Sequence, residues 1–325
     1  MTDKKKRVDA TEMESTKPSA TITAKHFYKD IPSGSGIEAT SEGFYIIGDD
    51  TPFLYQLDKN YNQVAKYELF DTADFKKGRI PKPLKPDLES LTTFKYKNKS
   101  YLFTLGSGSS EVRNKAYLVE LPIVAEKAVV KVIDLKELFN TLQKNKSVVG
   151  EELLNIEGLD FSEDKVYLLQ RALNKAGNLV LTFELSDFNS FLFEGKPLPA
   201  PALYFAKLPS LQGYQAGFSG AYVLDEKLFF TASVESAPDA IQDGEVLGSY
   251  VGYIPLADLP KATSQDKPVI AKAEKITDKK GGTYIGKVES LVVEKGVKPG
   301  KYKVIAISDD DKGHSEILEV EFIVE

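Results

Sequence analysis

The stretch SGIEA (residues 35–39) recurs four more times in related form, as ESLTT (89–93), EGLDF (157–161), SGAYV (219–223) and ESLVV (289–293). Each opening has a small or acidic residue, then glycine or serine, then an aliphatic residue. Runs rich in aromatic and β-branched residues follow each opening and alternate with polar turns. The openings start 54, 68, 62 and 70 residues apart. Units of this size with four antiparallel strands are typical of propeller blades, so the repeats predict an all-β, five-bladed β-propeller.

The two chain ends complete this pattern. The fifth unit stops without a fourth strand, and residues 21–30 resemble the fourth strands of the other units. We expect residues 21–30 to pair with the C-terminal blade, because closing the ring removes exposed strand edges. The sequence thus predicts a disordered tail over residues 1–20 and one β-propeller domain over 21–325, with a short helix near 134–142. A solenoid or a β-sandwich is the structural alternative, but units this long and numerous favour the propeller.

Composition excludes several classes of protein. The net charge is −6 without a long basic stripe, which argues against nucleic-acid binding. No cysteine and only two histidines occur, so thiolate and multi-histidine metal sites are excluded. No apolar run is long enough to predict a transmembrane segment, and the first residues do not have the pattern of a signal peptide. These features predict a cytoplasmic monomer by default, or a periplasmic or secreted protein if the start is processed.

The openings predict a metal site. In a propeller the first strand of each blade lines the central channel, so the first residues of the five openings should converge there: Ser35, Glu89, Glu157, Ser219 and Glu289. Three carboxylates in a narrow channel either shift their pKa values or bind a cation. Calcium takes six to eight oxygen ligands, and softer metals are disfavoured without cysteine. The alternative is a water-filled channel lined by hydrogen-bonding side chains.

A second set of residues is predicted to flank this site. The second strand of each unit returns towards the same end of the channel, which places there the candidate ligand-binding residues Asp49, Asp50, Arg79, Arg171, Glu235 and Asp309. This combination of carboxylates and arginines suits a small-molecule, phosphorylated or glycan ligand. Taken singly, each of these residues is also typical of a solvated turn. A catalytic triad with His314 has no support, because no nucleophile-elbow pattern occurs, and the catalytic residues stay unknown.

The order Ser, Glu, Glu, Ser, Glu, one per unit, resembles the calcium-dependent soluble apyrases, which are five-bladed propellers with one calcium in the channel. That resemblance implies that the five opening residues are calcium ligands. The openings IEGLDF and LESLT also resemble phytase-like and esterase-like propellers. The runs IPSGSGI and YIIGDD resemble a group of bacterial propeller proteins of unassigned function.

Two functions follow as hypotheses. The first is a calcium-binding propeller of unassigned activity, with a ligand or partner site on the loop face next to the metal. The alternative is a calcium-dependent hydrolase of phosphoric esters or anhydrides, in which the metal polarises phosphoryl oxygens.

Overall fold

In the computed structural model, the described residues are 17–71, 79–124, 127–172, 177–236, 244–310 and 312–324. Most of the predicted tail, residues 1–16, lies outside them. The described chain is mostly β, and its first strand, β1, is Ser19–Tyr28. None of its helices is both long and apolar enough to cross a membrane.

The first two units each form a four-stranded antiparallel sheet. The strands of the first, in spatial order, are β2 (Gly34–Thr40), β3 (Gly43–Gly48), β4 (Phe53–Leu57) and β5 (Gln63–Glu68). The strands of the second are β6 (Leu88–Tyr96), β7 (Lys99–Gly106), β8 (Lys115–Leu121) and β9 (Val130–Asp134). Lys97 and Asn98 both have positive φ in the turn between β6 and β7, which is the backbone of a tight hairpin.

The third unit forms a five-stranded sheet. Its strands are β10 (Ile156–Phe161), β11 (Lys165–Gln170), β12 (Asn178–Glu184), β13 (Ala202–Lys207) and, later in the chain, β19 (Val269–Ile270). The short strand β19 pairs in parallel with β13. Between them a small hairpin consists of β14 (Ser210–Leu211) and β15 (Tyr214–Gln215).

The last two units share one eight-stranded sheet. One half contains β16 (Gly217–Leu224), β17 (Lys227–Glu235), β18 (Val246–Pro255) and β20 (Lys272–Thr277). The other half contains β21 (Lys287–Lys295), β22 (Lys301–Asp309), β23 (Ser315–Ile323) and β1. The halves meet at a two-residue parallel pairing of β1 with β20. Strand β1 pairs antiparallel with β23 along its whole length, which confirms that the N-terminal strand completes the last unit, two residues earlier than expected.

The first strands of the five units contact one another in a closed circle: β2 with β6, β6 with β10, β10 with β16, β16 with β21, and β21 with β2. Buried apolar side chains fill the space between adjacent sheets. One cluster, for example, joins Ile47 and Leu54 of the first sheet to Leu91 and Leu102 of the second. The fold is therefore propeller-like, with sheets packed face to face around a central channel.

Helices are few, and their positions partly follow the sequence. Helix α1 (Lys136–Lys144) confirms the helix expected near 134–142, and α2 (Lys146–Val149) follows it. Helix α3 (Leu185–Glu194) begins directly after β12, which ends at Glu184, and it was missed by the sequence analysis, which expected a short helix near 134–142 alone. Phe188 and Leu192, one turn apart, are buried in the adjacent core, which stabilises α3 through packing of its apolar face. Within the described residues, 3₁₀ segments occur at Glu111–Arg113 and Leu256–Lys261.

Candidate metal centre

All five predicted channel residues lie at β-bulges. In each unit the pairing of the first and second strands loses register across one residue of the first strand, and the skipped residues are Ser35, Glu89, Glu157, Ser219 and Glu289. A bulge inserts one extra residue and re-aims its side chain. All five residues are buried, with at most 8% of their surface exposed. The five units therefore present these side chains from equivalent backbone positions.

The residue after each bulge is glycine or serine, and at Gly36 and Gly220 the first strand of the next unit passes close to the glycine. A Cβ on Gly36 would lie 2.9 Å from the backbone nitrogen of Leu91, and one on Gly220 would lie 2.8 Å from Cα of Ser290. Such distances leave no room for a larger side chain. The second position of the repeated opening thus permits the close approach that narrows the channel.

Side chains of the first strands also tie neighbouring units together. Ser35 Oγ donates to the carbonyl of Leu88 at 2.5 Å, and Ser219 Oγ donates to that of Val288 at 2.5 Å. The remaining interfaces have the bonds Ser90 Oγ to Glu157 O, Val223 N to Asp160 Oδ2, and Ile37 N to Ser290 Oγ. Since the hydroxyl protons of Ser35 and Ser219 are committed to carbonyls, their oxygens retain lone pairs for a cation.

We call the five bulged residues Ser35, Glu89, Glu157, Ser219 and Glu289 the ring. The charges of its three glutamates act on one another. Burial, and then the charges of Glu157, Asp87, Asp49 and Glu289, raise the pKa of Glu89 well above its usual value. Burial raises the pKa of Glu289 as well, and the Glu157 carboxylate adds to the increase. Glu89 accepts no hydrogen bond from the described residues, and Oε2 of both Glu157 and Glu289 is buried without a partner. Buried, unpaired carboxylate oxygens are costly, so this group is suited to bind a cation.

A buried arginine and a partly buried lysine offset part of this negative charge. Arg171 Nη2 lies 2.6 Å from Glu235 Oε1, and its Nη1 lies 3.5 Å from Glu157 Oε1. Lys287 Nζ lies 2.8 Å from Glu289 Oε1 and 4.0 Å from Glu235 Oε1. Burial raises the pKa of Glu235, but the charges of Arg171 and Lys287 outweigh that effect and lower it to about 2. Arg171 and Glu235, both predicted ligand-binding residues, therefore form a buried ion pair beside the ring.

A second acidic group adjoins the ring at Glu89. Asp49, Asp87 and Glu89 each offer a carboxylate oxygen within 4.8 Å of the others. Lys85 Nζ lies 2.5 Å from Asp49 Oδ2 and 2.8 Å from Asp87 Oδ1, and Arg113 Nη1 lies 2.6 Å from Asp87 Oδ2. Burial works against the charge of Lys85, but the carboxylates of Asp49 and Asp87 raise its pKa.

Together these side chains form one group, which we call the channel cluster: Asp49, Lys85, Asp87, Glu89, Arg113, Glu157, Arg171, Glu235, Lys287 and Glu289. Asp49 was a predicted ligand-binding residue, and its carboxylate lies within 4.8 Å of those of Asp87 and Glu89. Arg113 lies on the loop 110–115, which the sequence predicts to gather at this end of the channel, whereas Lys85, Asp87 and Lys287 were missed by the sequence reasoning. Asp87 and Lys287 each lie two residues before a ring glutamate, and that spacing was the signal available in the sequence.

The remaining predicted ligand-binding residues lie on the rim. Arg79 Nε donates to Asp50 Oδ2 at 2.8 Å, and Arg79 Nη2 also pairs with that oxygen. Asp309 contributes to the raised pKa of Arg79 after the hydrogen bond and charge of Asp50, so it lies on the same side. The Arg79 side chain is 44% exposed, in contrast to Arg171 at 3%. The structure thus separates Arg79, which is exposed and pairs with the buried Asp50, from the buried Arg171 of the channel cluster.

A different acid pair lies further along the same strands. Glu38 accepts hydrogen bonds from the Ala39 and Thr93 amides, at 3.0 and 3.1 Å. Asp160 accepts hydrogen bonds from Thr92 Oγ1 at 2.6 Å and from the Val223 amide at 2.5 Å. Burial raises the pKa of Glu38 to about 8 and that of Asp160 to about 6. We call Glu38 and Asp160 the lower pair; each of their oxygens has a protein donor.

Comparisons with known proteins bear on the fold alone. The model of a family described as Family of unknown function (DUF6929) matches residues 30–322. No curated protein matches the chain. Among solved structures, the chain is similar to an exo-1,5-α-L-arabinanase from a bovine ruminal metagenomic library, with a TM-score of 0.50, 10% identity, and coverage of 91% of this chain and 92% of that one. It is also similar to a glutaminyl cyclase from Myxococcus xanthus, with a TM-score of 0.47, 12% identity, and coverage of 95% and 98%.

Proposed function

The chain belongs to the Family of unknown function (DUF6929), and we propose that it is a five-bladed β-propeller that binds one calcium ion at the ring of Glu89, Glu157 and Glu289. The count of five blades is supported by the closed circle of five first strands and by their five equivalent bulges. In this arrangement the eight-stranded sheet is two blades joined by the short β1–β20 pairing.

The observation that carries the metal proposal is the set of unpartnered carboxylate oxygens. Glu157 Oε2 and Glu289 Oε2 are buried without a hydrogen bond, while their Oε1 atoms lie near Arg171 and Lys287. Glu89 accepts no hydrogen bond within the described part of the chain. A folded protein leaves few buried polar atoms unsatisfied. A cation among the three glutamates would satisfy all of these oxygens at once.

Charge balance supports a divalent ion. With all six carboxylates ionised, the channel cluster has four cationic side chains against them, an excess of two negative charges among the described residues. Because the pKa values of Glu89 and Glu289 are raised in the absence of a metal, a bound cation is what would keep both carboxylates ionised. Because charge is expensive to leave uncompensated in a poorly solvated space, this excess favours one divalent cation. The donors at this level are all oxygens, and the hydroxyls of Ser35 and Ser219 add two neutral ligands, which suits calcium.

The rim next to the metal is proposed as the ligand or partner site. Arg79 is half-exposed there, with Asp50 and Asp309 beside it. Loops and strand ends on a rigid scaffold are frequent positions for binding residues. A small-molecule, phosphorylated or glycan ligand that contacts Arg79 would lie beside Asp50 and Asp309, near Asp49 of the channel cluster.

A calcium-dependent phosphoric ester or anhydride hydrolase is the second candidate, and the exposed guanidinium of Arg79 beside the ring is the observation that favours it. It ranks second because Arg171, the other predicted phosphate contact, is buried and paired with Glu157 and Glu235. Phosphate release from nucleotides, phytate and simple phosphoesters tests it. Phosphate release that requires calcium and is lost in Arg79→Met would favour the hydrolase. No phosphate release from any of these substrates would count against it.

Thermal melting with calcium or with a chelator tests the metal proposal. Ligand linkage predicts about 2.7 kcal/mol of stabilisation at a hundredfold excess over the dissociation constant. Glu89→Gln should lose most of the calcium-dependent shift, whereas Glu120→Gln, a glutamate of an exposed ion pair with Lys99, should keep it. Metal analysis of the purified protein gives the stoichiometry. If calcium produces no shift and the protein contains no metal, the proposal is wrong.

A further inference from the structure

Asp49, Asp87 and Glu89 form a compact acidic group beside the ring. Asp49 follows β3, whereas Asp87 and Glu89 lie at the start of β6, so two adjacent units supply the three carboxylates. Their nearest oxygens lie within 4.8 Å of one another. Asp87 has a φ of 55°, a left-handed conformation that is strained for aspartate and often occurs at functional positions. The backbone therefore holds its carboxylate towards the other two despite a conformational cost.

A tethered ammonium already contacts this group. Lys85 Nζ lies 2.5 Å from Asp49 Oδ2 and 2.8 Å from Asp87 Oδ1, and its side chain is only 15% exposed. Two further donors bind the other oxygen of Asp87: Arg113 Nη1 at 2.6 Å and Ser107 Oγ at 2.5 Å. These contacts place the Lys85 ammonium between carboxylate oxygens whose spacing also suits a metal ion, while the Arg113 guanidinium binds the other oxygen of Asp87.

A second observation, the lack of hydrogen-bond donors from the described residues at the third acid, Glu89, also points to a ligand. Its carboxylate accepts no hydrogen bond from the part of the chain that the structure describes, although only 8% of the residue is exposed. The pKa of Glu89 responds both to Glu157 and Glu289 of the ring and to Asp87 and Asp49. Glu89 thus lies between the two acidic groups and belongs to both.

We propose that Asp49, Asp87 and Glu89 are a second cation subsite, which Lys85 fills with its ammonium group, so that the wild-type cluster takes one divalent ion rather than two. Removing Lys85 leaves six carboxylates against three cationic side chains and opens the subsite to a metal. Lys85 then acts as the residue that limits the metal stoichiometry. That Glu89 belongs to both the ring and the second subsite rests on the proposed function. The second subsite itself depends only on the contacts of Lys85 with Asp49 and Asp87.

The test is the calcium stoichiometry of purified Lys85→Met, Lys85→Arg and wild-type protein, measured by isothermal titration and by metal analysis after equilibrium dialysis. We expect one bound calcium in the wild type and in Lys85→Arg, and two in Lys85→Met. The matched control is Lys298→Met, an exposed lysine beyond the opposite end of β21, which should bind one. Lys85→Gln provides a second neutral variant in case Lys85→Met does not fold, and circular dichroism establishes folding.

The outcomes separate the two proposals. If the wild type binds one calcium and the folded neutral variants also bind one, the second subsite is wrong and the ring site stands. If the wild type binds none while the neutral variants bind one, the ring proposal is wrong and the subsite stands. If neither the wild type nor a neutral variant binds calcium, both are wrong.

Discussion

Acidic side chains are buried in different ways at the two ends of the first strands of the units. In the lower pair, Glu38 and Asp160 have protein donors on all their oxygens. In the ring, Glu157 and Glu289 have unpartnered buried oxygens, and Glu89 accepts no hydrogen bond from the described residues. Burial raises the pKa of Glu38, Asp160, Glu89 and Glu289 alike. Hydrogen-bond satisfaction, rather than burial or pKa, is what distinguishes a structural acid from a candidate ligand here.

The largest expected effect comes from removing the main counter-charge of the ring. Arg171→Met leaves Glu157 and Glu235 buried without their guanidinium, and breaking a buried pair in this way costs about 3–5 kcal/mol. Urea denaturation measures the loss. Lys99→Met, which breaks an exposed pair with Glu120, is the control and should change little. Equal free energies of unfolding for Arg171→Met and the wild type would show that the ion pairs of Arg171 do not stabilise the folded protein.

The lower pair predicts a pH dependence. Burial raises the pKa of Glu38 from 4.5 to about 8, so the folded state retains a proton that the unfolded chain has lost. The free energy of unfolding should therefore fall as pH rises from about 4.5 to about 8, by on the order of a few kcal/mol at about 1.4 kcal/mol per pKa unit. Glu38→Gln cannot titrate, and its decline across that window should be smaller.

Urea denaturation from pH 5 to pH 9 in the presence of a chelator measures this difference. The chelator keeps the ring free of metal, so that the glutamates of the ring contribute equally to both proteins. Glu120→Gln, an exposed glutamate, controls for the general effect of removing one carboxyl group. Parallel pH profiles for Glu38→Gln and the wild type would contradict the role assigned to the lower pair.

The smallest effects come from a matched pair of apolar replacements, which tests the comparison directly. Asp160→Leu removes the acceptor for Thr92 Oγ1 and the Val223 amide and should cost about 1–3 kcal/mol. Glu89→Met removes a buried carboxylate that accepts no hydrogen bond from the described residues, so its stability in chelator should equal or exceed that of the wild type. In calcium, Glu89→Met should lose the metal-dependent stabilisation. If Asp160→Leu and Glu89→Met lose the same stability in chelator, the proposed difference between the lower pair and the ring is wrong.

The repeated openings were sufficient to predict where the ring residues lie. Their first position is the bulged residue in every unit, their second is small because the neighbouring strand passes close to it, and the next apolar position packs in the core. The closing strand was also predictable, because a unit lacking a strand must obtain it elsewhere in the chain. Helix α3 was missed, since its aromatic-rich sequence continues the composition of β12.

The sequence by itself determined the repeat, the alignment that puts Ser35 at the first position of its opening, and the absence of cysteine ligands. These features depend on local spacing and composition, which a linear pattern contains. Only the tertiary structure decided which charges meet. Arg171 pairs with Glu235 across 64 residues, and Lys85 reaches Asp49 across 36. Such pairings are set by how the sheets pack around the channel, because Coulomb and hydrogen-bond energies depend on distance in space rather than along the chain.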